Sequence, residues 1–220
     1  MLFMLFSILF CVCLIASNVF ATKQFTIGIF SVTGGLITFP ISYIINDCVC
    51  EVWGYRKVRM LIWIGFIMSF LFAMTGMVCD WLPGAAYWTN DAGFHAIFGI
   101  APRVFAASFT AFLVGSFANA YVMSRMKINS AGKRFSLRAI MSTIVGEFAD
   151  SMIFFPLAFI GIIPIQEIPL LIVGEVVLKT AFEIAVLPVT IRVVKRVKEY
   201  EGEDAYDDGV DYNVWKIFSI

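Results

Sequence analysis

Long apolar runs, each closed by a short cluster of charge, set the pattern of this chain. Residues 2–21 carry no charge. At about 1.5 Å per residue they are just long enough to cross a hydrocarbon core of about 30 Å. Residues 25–46 repeat the pattern, and further runs follow at 60–79, 104–124, 139–163 and 168–194. A backbone in lipid has to satisfy its hydrogen bonds within the segment, so each run predicts a helix. The expectation is an all-α, polytopic membrane protein with six transmembrane helices, a membrane domain over residues 1–198 and an acidic tail over 199–220. A signal peptide is the rival reading of the first run, but that run lacks a basic start and its apolar part is longer than usual.

The placement of Lys and Arg predicts orientation. Arg56, Lys57 and Arg59, then the basic stretch from Arg125 to Arg138, then Arg192, Lys195, Arg196 and Lys198 alternate with connections that hold only Lys23 and Arg103. Basic loops stay in the cytoplasm, which predicts cytoplasmic N- and C-termini, most simply in a bacterial inner membrane.

Composition agrees and excludes several functions. Sixty per cent of the residues are hydrophobic and 15% are charged, which does not suit a water-soluble globule. A net charge of zero offers no basic surface for nucleic acid. The five cysteines lie in or beside apolar runs, and Cys48-x-Cys50 lacks a second ligand pair, so neither a disulfide framework nor a metal site is expected. No His-Glu-x-x-His, Gly-x-Ser-x-Gly or Walker glycine loop is present; the chain reads as a non-enzyme without a cofactor.

Chemistry enters where polar residues interrupt the runs. In the fifth, Thr143, Glu147 and Asp150 fall on one helical face, flanked by Ser142, Gly146 and Ser151. Ionisable groups inside a membrane are costly and mark function by default, although the same stripe could join two helices. Asp150 follows Arg138 by 12 residues, about 18 Å along a helix, near the bilayer midplane.

Other runs carry fainter signals. Pro40, Asp47 and Glu51 suggest either a broken helix lining a cavity or a plain interfacial edge. Gly115 to Asn119 (Gly-Ser-Phe-Ala-Asn) echoes Gly146 to Asp150 (Gly-Glu-Phe-Ala-Asp), which suggests an inverted repeat or close helix packing. Glu175, Lys179 and Glu183 recur every four residues, predicting an intrahelical Glu175–Lys179 pair on an inward face. Asp91 could cap a short interfacial helix whose Phe94, Ile97 and Phe98 cover an entrance, with His95 at the interface.

Polar groups spread over several helices suit a pocket for a neutral polar solute. The spaced motifs Phe39-Pro40 with Asp47 and Trp53-Gly54, Arg103-x4-Ser108 with Gly115 and Asn119, Ser142-Thr143-x2-Gly146-x3-Asp150-Ser151, and Lys179 with Pro188 resemble those of the queuosine precursor transporter (vitamin uptake transporter) family. Ser17-Asn18 resembles a further motif of that family. The resemblance implies uptake of deazaguanine bases, such as cyano-deazaguanine, its aminomethyl relative or queuine, for tRNA modification. It implies a substrate site drawn from Asp150, Glu147, Asn119, Arg103, Ser108, Ser142, Thr143, Asp47, Lys179 and Asn18. A carboxylate, Asp150 first, would accept the paired N–H donors of a guanine-like edge; Asn119 or Arg103 would meet the carbonyl, and Phe148 or Phe154 would stack. Partners are then the small molecule and membrane lipid, with a homodimer compatible. Coupling through a proton on Asp47, Glu147, Asp150 or Glu175 and facilitated entry followed by trapping both stay open. Alternatives are the substrate-binding subunit of an energy-coupling-factor transporter and a non-transporting structural membrane protein.

Overall fold

The computed structural model describes residues 1–27, 30–99, 102–162 and 164–217. Helix α1 (Leu2–Phe20) leads into an antiparallel strand pair, β1 (Gln24–Ile27) and β2 (Phe30–Thr33), and a 3-10 turn at Gly34–Ile37. Then come α2 (Phe39–Trp81), the short α3 (Asp91–Phe98), α4 (Pro102–Asn129), α5 (Phe135–Phe159), a 3-10 turn at Ile165–Glu167 and α6 (Ile168–Glu201). Four helical stretches, Leu2–Phe20, Gly34–Trp81, Arg103–Asn129 and Phe135–Phe159, are long and apolar enough to cross a membrane. Helix α6 has the length, but Glu175, Lys179 and Glu183 dilute its apolar character. The protein is thus a predominantly α-helical membrane protein. The expected end of the fifth span, position 163, and parts of the second span and of the connection before α4 lie outside the described residues.

The second expected span is replaced. Residues 24–27 pair with residues 30–33 as strands, Gln24 opposite Thr33 and Ile27 opposite Phe30, and the helix begins only at Phe39. Hydropathy is blind to this choice, whereas Thr26, Ile27, Val32 and Thr33 are β-branched and favour an extended pair. Pro40 sits in the first helical turn, where its missing N–H costs nothing. It opens the helix and does not break it.

The break falls at Gly54, whose φ of 81° and ψ of 176° are non-helical. A side chain there would be strained. The two arms of α2, residues 39–53 and 55–81, run along α1 in opposite directions. Ser17 bonds Thr38 and Phe6 meets Trp53, so the first arm is antiparallel to α1. Lys57 lies over Phe3 while Phe10 and Leu14 reach Gly65, so the second arm is parallel to it. The basic loop expected between spans two and three is therefore a one-residue reversal inside helix. The Arg125–Arg138 loop likewise shrinks to residues 130–134 between α4 and α5.

The tail is not freely solvated as its acidity suggests. Asp207 is buried, and both of its carboxylate oxygens accept from the Tyr55 N–H, 3.0 Å each, while Ala205 N–H donates to Val52 carbonyl at 3.0 Å. The reversal at Gly54 orphans backbone groups on both arms, and the tail satisfies them. Trp63 Nε1 donates to Val214 carbonyl, and Arg59 donates to the carbonyls of Asp211 and Asn213, extending the seam.

Phe6, Phe10 and Leu14 of α1 are buried among α2 and Phe112 of α4, so the first run is a built-in wall of the core. Its N-terminus meets the far end of α6, Leu2 N–H donating to Glu201 at 3.2 Å. Both ends of the six-helix body thus lie on one side.

Candidate functional site

Helices α4 and α5 meet at the echoed pentapeptides. A Cβ on Gly115 would fall 2.9 Å from Gly146 carbonyl oxygen, and one on Gly146 would fall 3.0 Å from that of Gly115. The same two positions face Asp150 and Asn119 respectively, each with Cβ separations of 2.8 Å. The echo is reciprocal antiparallel packing: each glycine makes room for the polar residue that ends the partner pentapeptide. Asn119 goes into the core, fully buried, and its Oδ1 accepts from Asn46 Nδ2 at 3.0 Å. Asp150 goes the other way, to a cavity.

That cavity, about 180 Å³, is lined by residues of α1, the turn before α2, both arms of α2, α4, α5 and α6. Phe39, Phe109, Phe112, Phe154 and Phe155 make aromatic walls, and Ser17, Asn18, Ser69, Ser108 and Ser151 supply hydroxyl and amide groups. Asp150, Glu175 and Lys179 bring charge to the same space. An apolar enclosure with a few convergent polar groups is the usual make-up of a small-molecule site.

Lys179 is the hub. Its Nζ donates to Glu147 at 2.8 Å, lies 3.5 Å from Glu175 and sits 4.4 Å over the ring of Phe39. The intrahelical Glu175 pair exists, yet the shorter bond reaches across to α5 and ties α5 to α6. Glu147 is thus occupied by Lys179 and buried behind the cavity wall. No hydrogen bond among the described residues engages Asp150, whose carboxylate is left available to a ligand. A carboxylate, an ammonium and aromatic rings within one enclosure can read a flat, polar heterocycle by paired hydrogen bonds and stacking.

Of the ten expected residues, Asp150, Lys179, Ser108 and Asn18 line this cavity, and Glu147 stands behind it. The others go elsewhere. Arg103 Nε and a terminal nitrogen donate to Leu157 and Ile160 carbonyls at 2.5 and 2.8 Å, closing the end of α5, where carbonyls lack helical partners. Ser142 bonds Ala139 carbonyl within its own helix. Thr143, Asp47 and Asn119 are buried in a separate group outside the lining. Phe148 is 52% exposed on the outer face of α5, so only Phe154 of the two expected rings is at the cavity. Helix α3 forms as predicted and packs Phe98 on Gly76, but Asn90 occupies the cap position without a side-chain bond, and α3 contributes no residue to the lining. His95, on its exposed side, pairs with Asp80 at 2.7 Å.

Reasoning from sequence missed Phe39 as a cation-binding ring and Ser17, Ser69 and Ser151 as lining groups. Phe39 lies four residues before Tyr43 and eight before Asp47 on one face of α2, and that spacing was the available signal.

Fold and site together define a membrane protein whose helices line an apolar cavity carrying a few polar and charged side chains. Residues 33–193 match the family described as "Putative vitamin uptake transporter". A Bacillus subtilis (strain 168) protein named "Probable queuosine precursor transporter" is 26% identical over 181 residues, covering 80% of this chain and 78% of that protein. No solved structure matches the chain. The chain belongs to the vitamin uptake transporter family, a family of membrane transporters and not of enzymes.

Proposed function

We propose that this protein imports queuosine precursors, deazaguanine bases such as cyano-deazaguanine, its aminomethyl relative or queuine, across a bacterial cytoplasmic membrane. The observation that carries this reading is the enclosure in which Asp150 and Lys179 face aromatic walls. A guanine-like edge presents two adjacent N–H donors, which the Asp150 carboxylate accepts in a bidentate manner. The ring carbonyl takes a donor from Ser108 or Lys179, and Phe154 stacks on the bicycle. The Bacillus relative's name supports the substrate class. Six crossings, α1, the two arms of α2, α4, α5 and α6, put both termini in the cytoplasm, in keeping with the basic residues gathered at that end. The test is deletion of the gene in a strain unable to make the precursor, fed each base in turn. Queuosine disappears from tRNA and returns with the intact gene if the reading holds; unchanged queuosine on every base rejects it.

A further inference from the structure

Deeper than the cavity lies a second polar group that the substrate reading does not use. Asp47 from the first arm of α2, Asn119 from α4, Thr143 from α5 and Glu183 from α6 are each no more than 3% exposed. Both Asp47 carboxylate oxygens, Glu183 Oε2, Thr143 Oγ1 and Asn119 Nδ2 lack a hydrogen-bond partner of good geometry. Yet the groups face one another: Glu183 interacts with Thr143 and Asp47, and Asp47 with Glu183 and Asn119. Four helices thus converge on a buried site with unspent polar capacity.

The charged neighbours are committed elsewhere. Arg138 and Glu51, the next charges toward the chain termini, hold each other through two bonds of 2.5 and 3.0 Å. Lys179, one turn before Glu183 on α6, is bonded to Glu147 at the cavity. Tyr43, one turn before Asp47, presents an unpartnered hydroxyl and feels Glu147, Asp150, Asp47 and Glu183 together. Two adjacent buried carboxylates with no cation bonded to either cannot both ionise. A bound proton resolves the conflict.

We infer that Asp47 and Glu183 form a proton-binding site that couples solute movement to a proton gradient; the inference rests on the transport reading given above for its probe. The pair holds one proton between α2 and α6. Because Lys179 and Glu183 are on one face of α6, a ligand that draws on Lys179 shifts Glu183 against Asp47, and the proton leaves with the loaded solute toward the cytoplasm. Asn119 and Thr143 position the pair without taking the proton.

The test uses the full-length protein in proteoliposomes with labelled cyano-deazaguanine. With the outside more acidic by about one pH unit, one-for-one coupling gives about tenfold accumulation in the wild type. Asp47→Asn and Glu183→Gln accumulate none above the level without a gradient, while each still exchanges external for internal base. Accumulation that persists in both variants, follows a sodium gradient, or ignores pH in the wild type overturns the inference. A second measurement needs no solute: the infrared band of a protonated carboxyl in the wild type at neutral pH is lost in each variant, and a spectrum unchanged by both substitutions also overturns it. If the wild type exchanges no base at all, the deazaguanine reading fails, and the infrared measurement alone decides the proton site.

Discussion

Two groups of buried charge lie in succession along α2, and they are built in opposite ways. Near the termini, Glu51 accepts from Arg138 through both oxygens and from Lys198 at 2.7 Å. Lys127 in turn donates to Glu51 carbonyl, Asp204 and Ala205 carbonyl at 2.5 to 2.7 Å. One turn away, Asp47 and Glu183 have neighbours but no cation bonded to them, and several of their polar atoms are unspent. A buried ion network with every group satisfied specifies and holds a structure. One left incomplete is costly to keep unless a mobile species completes it. The contrast separates a satisfied clasp from an unsatisfied group within one polar stripe.

Removing the carboxylate from the clasp should have the largest effect on stability. Glu51→Ala leaves Arg138 buried without its partner, a change that costs about 3–5 kcal/mol and predicts loss of monodisperse protein in detergent with a sharply lower melting temperature. Asp207→Ala removes the cap from the second arm of α2, and a loss of about 1 kcal/mol in thermal unfolding is expected. Asp47→Asn should leave the stability to thermal unfolding within about 1 kcal/mol of wild type or raise it, since it removes a carboxylate to which no cation is bonded. A large destabilisation by Asp47→Asn would erase the contrast.

The smallest effect concerns pH. Burial pushes the Asp204 carboxyl up, but bonds from Lys127 and Lys198 outweigh it and hold the group below its usual range. A lowered folded value stabilises the docked tail above the unfolded value of about 3.9, and that contribution is lost as pH falls through the folded one. Protection of the Ala205 amide against hydrogen exchange should therefore hold at neutral pH and weaken only below about pH 4.

How far these features were legible in sequence differs by element. Helices α1, α4, α5 and α6 follow from long, mostly apolar runs because a membrane helix is a local solution to backbone hydrogen bonding. The strand pair and the α2 reversal do not, since a hydropathy run is the same for a strand as for a helix. The tail was illegible for a related reason: its acids find partners only because Gly54 opens a helix far earlier in the chain, Tyr55 preceding Asp207 by 152 residues, and Lys127 and Lys198 stand beside the break. In the site, Asp150, Lys179, Ser108 and Asn18 were reachable because ionisable or polar side chains within apolar runs are conspicuous. Arg103 was assigned to the ligand since nothing in its neighbourhood along the chain reveals that its fork reaches the end of α5. Asp47 and Asn119 were recognised as special but assigned to the solute, because sequence spacing does not tell which of two stacked polar groups a residue joins.

The central claim is that the Asp150 cavity binds a deazaguanine base, and direct titration of cyano-deazaguanine into purified wild type and Asp150→Asn tests it. Losing a charge-assisted pair of hydrogen bonds costs about 1.5–3 kcal/mol, so the variant should bind about ten- to a hundredfold more weakly with an unchanged melting temperature. Equal affinity in the two proteins would contradict the account.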